Sequence, residues 1–283
     1  MSHSGKPLLV HEIHDMWPET LMELGAMSPR HPFVSLIRIS ADRAYSTSDR
    51  VVSLLPNTRD YLIERGMSPS AFVHVPNGVC LEEWTLSEIP LQHHEVLQQL
   101  VDQGTFVIGY FGGHALSNAL DILLDSAKLT KCVPVTYVLV GDGDQKSKLM
   151  ARATQEEITN VIFLPPVPKR SIPSLLSMFN CAYIGAAYSV LYRFGISFNK
   201  LFDAMMSGLP IICAVPAVTP VSEVGCGISV PSCDPQDLAQ AVRDMIAMPL
   251  EDRVVMGQRG QHAVTTQYDY ATLARQFLTE ILG

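Results

Sequence analysis

Apolar positions along the chain fall into two rhythms. Short runs rich in β-branched and apolar residues, LLVHEI (8–13), RVVSLL (50–55) and FVHV (72–75), read as strands, with helix-like segments around 18–25, 33–47 and 57–65. A second series follows: FVIGYF (106–111), VTYVLV (135–140), NVIFL (160–164), CAYIG (181–185), PIICA (210–214) and GISV (227–230). Between these runs apolar residues recur at three and four. Leu116, Leu120, Leu123, Leu124 and Ala127 form one such stripe, and Leu238, Val242 and Ile246 another. Further helices are expected at about 234–247, 250–264 and 270–282. Strand and helix alternating in this way predict an α/β chain with parallel sheets.

Pro76-Asn77-Gly78 is a turn signal, and Leu81 to Gln92 has no clean period. The pattern therefore divides into two Rossmann-like, doubly wound domains, 1–92 and 93–283, with the last helix free to cross back to the first. The first has only three predicted strands. A sheet that small is expected to leave an edge unpaired and one face poorly covered.

Composition narrows the picture. The chain has 283 residues, 47% hydrophobic and 17% charged, as in globular proteins. No apolar run approaches the length that spans a bilayer. Met1 to Lys6 reads as a short polar leader and not as a secretion signal, so a soluble, cytoplasmic protein is expected. Six cysteines (Cys80, Cys132, Cys181, Cys213, Cys226, Cys233) fall singly and without metal-type spacing, and are expected to be buried, reduced thiols. A net charge of −8 argues against nucleic-acid binding. It leaves room for a local basic patch making peripheral contact with the inner face of a membrane.

In an open parallel sheet, ligands sit beyond the carboxyl ends of the strands. There the second series carries Gly112-Gly113-His114, Gly141-Asp142-Gly143, Pro165-Pro166-Val167 and a long loop ending in GISFNKLFDAMMSGLP (195–210). Glycines let an anion approach the backbone, and a helix N-terminus offers unpaired N–H groups. Ser197, Asn199 and Lys200 are placed to cradle a diphosphate. Asp203, four residues beyond Asn199, is placed to accept hydrogen bonds from a ribose. Taken singly, these residues also read as helix caps, a dipole partner and a solvated lysine.

The helix segment resembles the SxNKLFDYMAxGKP motif of a polysaccharide-type branch of GT-B glycosyltransferases, family 4 (the group 1 glycosyltransferases). Ser197, Asn199, Lys200, Leu201, Phe202, Asp203, Met205, Gly208 and Pro210 match it. Other segments are similar to the same branch: HEIHDMWPETLMELGAM (11–27), VHVPNGV (73–79), GYFGGHALSNALDILLDSA (109–127) and LVGDGDQKSKL (139–149). The resemblance implies a retaining transfer of sugar from a nucleotide diphosphate sugar, UDP being the commonest, to an acceptor hydroxyl in polysaccharide or glycolipid synthesis. It implies no cofactor and no metal requirement. It would place Gly112, Gly113 and His114 at the phosphates or sugar, Lys200 at the diphosphate and Asp203 at the ribose. Val167 would border the base, and Gly141 and Gly143 would keep the cleft wall low.

Departures are visible too. The glutamate that many relatives carry eight residues before Asp203 is Gly195 here, and the usual Arg and Lys pair is missing, which leaves His114 and Lys200 as the positive groups. His14, beside Asp15 at the end of a predicted strand, resembles a family histidine near the acceptor; the two are the candidate catalytic residues, with a hydrogen-bonded strand end as the other reading. His11 alternates with His14 on the strand; His31, His74, His93, His94 and His262 read as structural or solvated, and Trp17 and Trp84 as packing residues. Against the family, about a hundred residues are expected to be absent at the front, and the acceptor-side domain is expected to be truncated. A partner subunit or a second copy would then cover it, and the alternative functions are a donor-binding module without transfer activity, other nucleotide-sugar chemistry such as epimerisation, or a structural subunit.

Overall fold

The structure, a computed structural model, describes residues 7–23 and 25–282. Met1 to Lys6, read above as a leader, lie outside them. The residues group into two units: Met1–Asn77, Ser189–Ser197 and Tyr270–Gly283 in the first, Gly78–Tyr188 and Phe198–Asp269 in the second.

The first unit holds three parallel strands, β1 (Val10–Ile13), β2 (Arg50–Ser53) and β3 (Phe72–His74), in the order β1-β2-β3. Helices α1 (Glu19–Glu23), α2 (Pro32–Thr47) and α3 (Arg59–Glu64) connect them. The strands are shorter than the apolar runs, for a local reason. Leu9 gives its N–H to the Asp49 carboxylate (2.9 Å) instead of a sheet partner, and Leu55 gives its own to Ser53 Oγ (3.1 Å). Helix α2 starts at a proline, where the missing N–H costs nothing, and His31 Nδ1 accepts the Phe33 N–H at 3.2 Å.

Both faces of this small sheet are covered, which corrects the expectation of a bare one. Ile13, Val51 and Phe72 point to one side and pack with Tyr45, Leu62 and Phe194. Val52 and Val73 point to the other and pack with Phe277 and Ile281 of the C-terminal helix Tyr270–Leu282. Side chains alternate across a strand, so three strands suffice to anchor a layer on each side.

The second unit is a six-stranded parallel sheet of β4 (Phe106–Phe111), β5 (Val135–Val140), β6 (Val161–Leu164), β7 (Cys181–Gly185), β8 (Ile211–Ala214) and β9 (Gly227–Ser229). Its order is β6-β5-β4-β7-β8-β9, the doubly wound arrangement. Around it run α4 (Leu91–Asp102), α5 (Leu120–Leu129), α6 (Lys146–Gln155), α7 (Ile172–Leu176), α8 (Asn199–Met206), α9 (Pro220–Val224), α10 (Pro235–Ala247) and α11 (Leu250–Gln267). Most of the predicted stripes are contact surfaces: Leu120, Leu123, Leu124 and Ala127 of α5 and Leu238 and Val242 of α10 cluster with Ile108, Tyr137, Leu139 and Ile212 of the strands, with Ile246 partly buried against them. Each leucine or valine so buried contributes about 1.5–3 kcal/mol. Leu116, expected in the first stripe, lies in a short turn before α5 and is exposed.

The cysteines divide. Cys181, Cys213 and Cys226 are buried, and burial pushes their thiols up to about 12. Cys80 and Cys233 are half-buried and Cys132 is exposed, which corrects the uniform expectation. Cys132 stands in the turn after α5, beyond the apolar stripe that would have drawn it inward.

Candidate functional site

In the second unit the strand order reverses between β4 and β7, so connections there leave toward opposite faces and open a crevice beyond the strand ends. Gly112-Gly113-His114 follows β4. The chain after β7 passes through Ser189–Ser197 and then enters α8.

The two glycine turns are pressed together. Gly141 (φ +152°) leaves no room for a side chain: a Cβ would stand 1.9 Å from the Gly112 carbonyl oxygen. At Gly143 (φ +157°) it would stand 2.6 Å from that of His114. Their bareness lets the second turn back onto the first, sealed by the Gly112 N–H to Val140 O (3.0 Å) and the His114 N–H to Asp142 O (2.8 Å). Lys146 Nζ ties the arrangement down from Gly141 O (2.6 Å) to Leu164 O (2.9 Å). Gly113, by contrast, faces open space.

Lys200, in the first turn of α8, reaches this turn. Its ammonium donates to Asn118 Oδ1 and to Tyr110 Oη (3.4 Å), and lies 5.0 Å from the Tyr110 ring centroid. Asn118 Nδ2 and Tyr110 Oη in turn both donate to the Gly113 carbonyl, at 2.8 and 2.5 Å. Two donors on one carbonyl fix the orientation of the Gly113–His114 peptide; the N–H of Gly113, in the peptide before it, has no acceptor among the described residues. Phe198, the cap residue of α8, makes no side-chain cap bond, so the helix's opening amides are not capped by a side chain. A cation, a free amide and an uncapped helix start are what a diphosphate needs.

Burial tunes the charges. It lowers Lys200 to about 8, and raises Asp203, one turn along α8, to about 6, with Lys169 pulling the other way. His114 is fully buried between Tyr110 and Phe163, with neither ring nitrogen partnered. Burial first, and then the Lys146 charge, push it down to about 4, against the pull of Asp142. It is therefore neutral at pH 7, and the expectation of His114 as a positive group is corrected.

The other expected residues are dispersed. Asn199 is exposed at the start of α8, and Val167 is half-buried in the segment after β6. Ser197 belongs to the first unit, where its Oγ accepts the Asn77 N–H (2.8 Å) and its carbonyl accepts from the Asn77 amide. Gly195 (φ +89°) has Pro56 where its Cβ would be, at 2.6 Å. That contact is the local reason no acidic side chain stands there. His14 and Asp15 are exposed at the end of β1; His14 Nε2 lies 3.6 Å from Glu12 Oε2. His14, Glu12 and Asn77 rim a cavity of about 370 Å³ whose floor is Val52, Val75, Leu273 and Phe277. Tyr110, Asn118 and Lys146 went unread in the sequence. Only the quoted segments that contain them gave a signal.

The family described as "Glycosyl transferases group 1" matches residues 105–248, more than half of the chain and the whole of the sheet that carries this site. The chain belongs to the group 1 glycosyl transferases. It is thus a glycosyltransferase of the GT-B-like α/β fold. It is similar to the probable glycosyltransferase WbjE of Pseudomonas aeruginosa, 20% identical over 277 residues, covering 95% of this chain and 68% of that protein. It is also similar to the putative colanic acid biosynthesis glycosyl transferase WcaI of Escherichia coli (strain K12), 23% identical, covering 83% of this chain and 57% of WcaI. Among solved structures, Anabaena Alr3699/HepE in complex with UDP and glucose superposes with a TM-score of 0.73 at 20% identity, over 98% of this chain and 72% of HepE.

That superposition corrects one expectation. It runs through both sheets, so the expectation of a truncated acceptor-side domain gives way to a fold in which both Rossmann-like domains are present, the N-terminal one built on three strands. Chain length had suggested a loss because it counts residues and not layers. Among the described residues no helix is long and apolar enough to cross a membrane.

Proposed function

We propose that this glycosyltransferase takes a UDP-sugar and transfers the sugar, with retention, to a hydroxyl of a growing or lipid-carried glycan. The observation that carries this reading is Lys200: a half-buried ammonium pinned by Asn118 and Tyr110 beside the Gly113 peptide, at the switch point of the sheet. The relative HepE crystallised with UDP and glucose supports the choice of nucleotide. The departing diphosphate gains charge as the glycosidic bond breaks. Lys200, the Gly113 N–H and the opening amides of α8 meet that charge without a metal, since donors fixed in advance cost no reorganisation in the transition state. Asp203 holds the ribose, and Val167 borders the base. The unit of Gly78–Tyr188 and Phe198–Asp269 forms the donor side, and the unit that holds β1 to β3, Ser189–Ser197 and the C-terminal helix the acceptor side, where His14, set in its polar rim with Glu12, orients the acceptor hydroxyl and Asp15 stands beside it.

The test is to incubate the protein with UDP-glucose, UDP-galactose or UDP-N-acetylglucosamine and an extract of lipid-linked glycans. UDP release and the anomeric configuration of the product, by NMR, are the readouts. An α-linked product from an α-donor is expected; inversion, or UDP release with no glycan acceptor consumed, contradicts the reading.

A further inference from the structure

The segment that follows β6, Pro165-Pro166-Val167-Pro168, is rich in proline. Proline has no N–H, so three of these four residues have no backbone donor with which to anchor themselves. The N–H and carbonyl of Val167 find no partner among the described residues. What holds the segment is therefore its other carbonyls. That of Pro168 accepts the Ser171 N–H in a local turn, at 2.8 Å. That of Pro165 is held from far along the chain: His93, in the first turn of α4, donates to it from Nε2 at 2.8 Å. His93 is 1% exposed and its Nδ1 has no partner, so this buried ring makes its one side-chain hydrogen bond to the Pro165 carbonyl.

The stretch just before α4, without regular structure, completes the hold. Ser87 donates its Oγ–H to Arg170 O (2.7 Å) and its N–H to Ser174 Oγ (2.8 Å), and Ser171 donates its Oγ–H to Glu88 O (2.8 Å). None of these bonds involves Lys200, Gly113 or Asp203. Their common effect is to set the position of the chain on either side of Val167 before any ligand arrives, and a contact fixed in advance loses less on binding. We propose that His93 is a positioning residue for recognition of the nucleobase. By holding the Pro165 carbonyl it presets the N–H and carbonyl of Val167 for the edge of uracil, whose carbonyl oxygen and N3–H match a backbone donor and acceptor. This rests on the donor-site reading, in which Val167 borders the base, and adds to it what selects one base over another.

Calorimetric affinities for UDP, CDP and inorganic pyrophosphate are measured for the wild type, His93→Leu, His93→Gln and Ser87→Ala, with thermal unfolding of each. Cytosine presents the opposite donor and acceptor at that edge, and pyrophosphate reports the phosphate contacts alone. The wild type is expected to prefer UDP to CDP by about tenfold or more. His93→Leu is expected to lose about tenfold in UDP affinity and most of that preference, while keeping its affinity for pyrophosphate. His93→Gln, whose amide N–H can stand where Nε2 stands, is expected to restore both. Should His93→Leu not fold, the half-buried Ser87→Ala carries the test, with a loss of about threefold confined to the nucleotides. Equal losses for UDP and pyrophosphate, a wild type indifferent to the base, or a Gln variant as weak as the Leu variant overturns the proposal. A wild type that binds no UDP overturns the donor-site reading and the proposal with it. UDP binding that His93→Leu and Ser87→Ala both leave intact overturns the proposal alone.

Discussion

His114 makes a prediction whose sign and size follow from its burial. The folded protein holds it neutral down to about pH 4, whereas the unfolded chain takes up a proton near 6.5. Between those values the unfolded state binds more protons, so stability falls as pH falls through the window and is untouched above it. At about 1.4 kcal/mol per pH unit, the full loss is about 3 kcal/mol. His114→Leu removes the titration and fits a site walled by Tyr110 and Phe163. Thermal unfolding of the two proteins is followed from pH 7.5 down to about pH 4, where a unit of this size shifts by about 2–4 °C per kcal/mol. The melting temperature of the wild type is expected to drop by about 6–12 °C more than that of the variant. Parallel profiles would refute the reasoning, because they would mean that His114 already carries its proton, or exchanges it freely, in the native state.

Other outcomes follow from the same geometry. Gly141→Ala forces a Cβ against the Gly112 carbonyl at a φ of +152°, and is expected to cost about 3 kcal/mol or more in urea unfolding and to abolish UDP binding by parting the two turns. Asn118→Ala deprives Lys200 of one of its two acceptors and the Gly113 carbonyl of one of its two donors; calorimetry should show UDP affinity reduced about fivefold, a loss of about 1 kcal/mol, with little change in melting. UDP affinity is expected to fall above about pH 8, as Lys200 loses its proton, and below about pH 6, as Asp203 gains one. The acid limb should vanish in Asp203→Asn.

The fold was legible where periodicity is decisive. Nine apolar runs became nine strands among the described residues, and the stripes of α5 and α10 face the sheet because their leucines and valines repeat at helical spacing. Strand ends were less legible, since side chains such as Asp49 and Ser53 intercept backbone donors that composition assigns to the ladder. Within the site, Lys200 and Gly113 were foreseen together because a helix start and a glycine turn at one sheet edge imply an anion. Asn118 was not, because an asparagine in a loop reads as a turn residue until its two partners are seen. His114 shows the converse: a histidine after two glycines reads as a phosphate contact, yet aromatic neighbours contributed by β4 and β6 bury it uncharged. Ser197 likewise matched a motif, while its hydroxyl is engaged by Asn77, a residue 120 positions away.

The central claim is that Lys200 and Asp203 of one helix hold the two ends of a nucleoside diphosphate. Isothermal titration of UDP into wild type, Lys200→Ala and Asp203→Ala tests it directly. Each substitution is expected to weaken binding by about 1–3 kcal/mol, the range for charge-assisted hydrogen bonds. Equal affinity in all three proteins would contradict it.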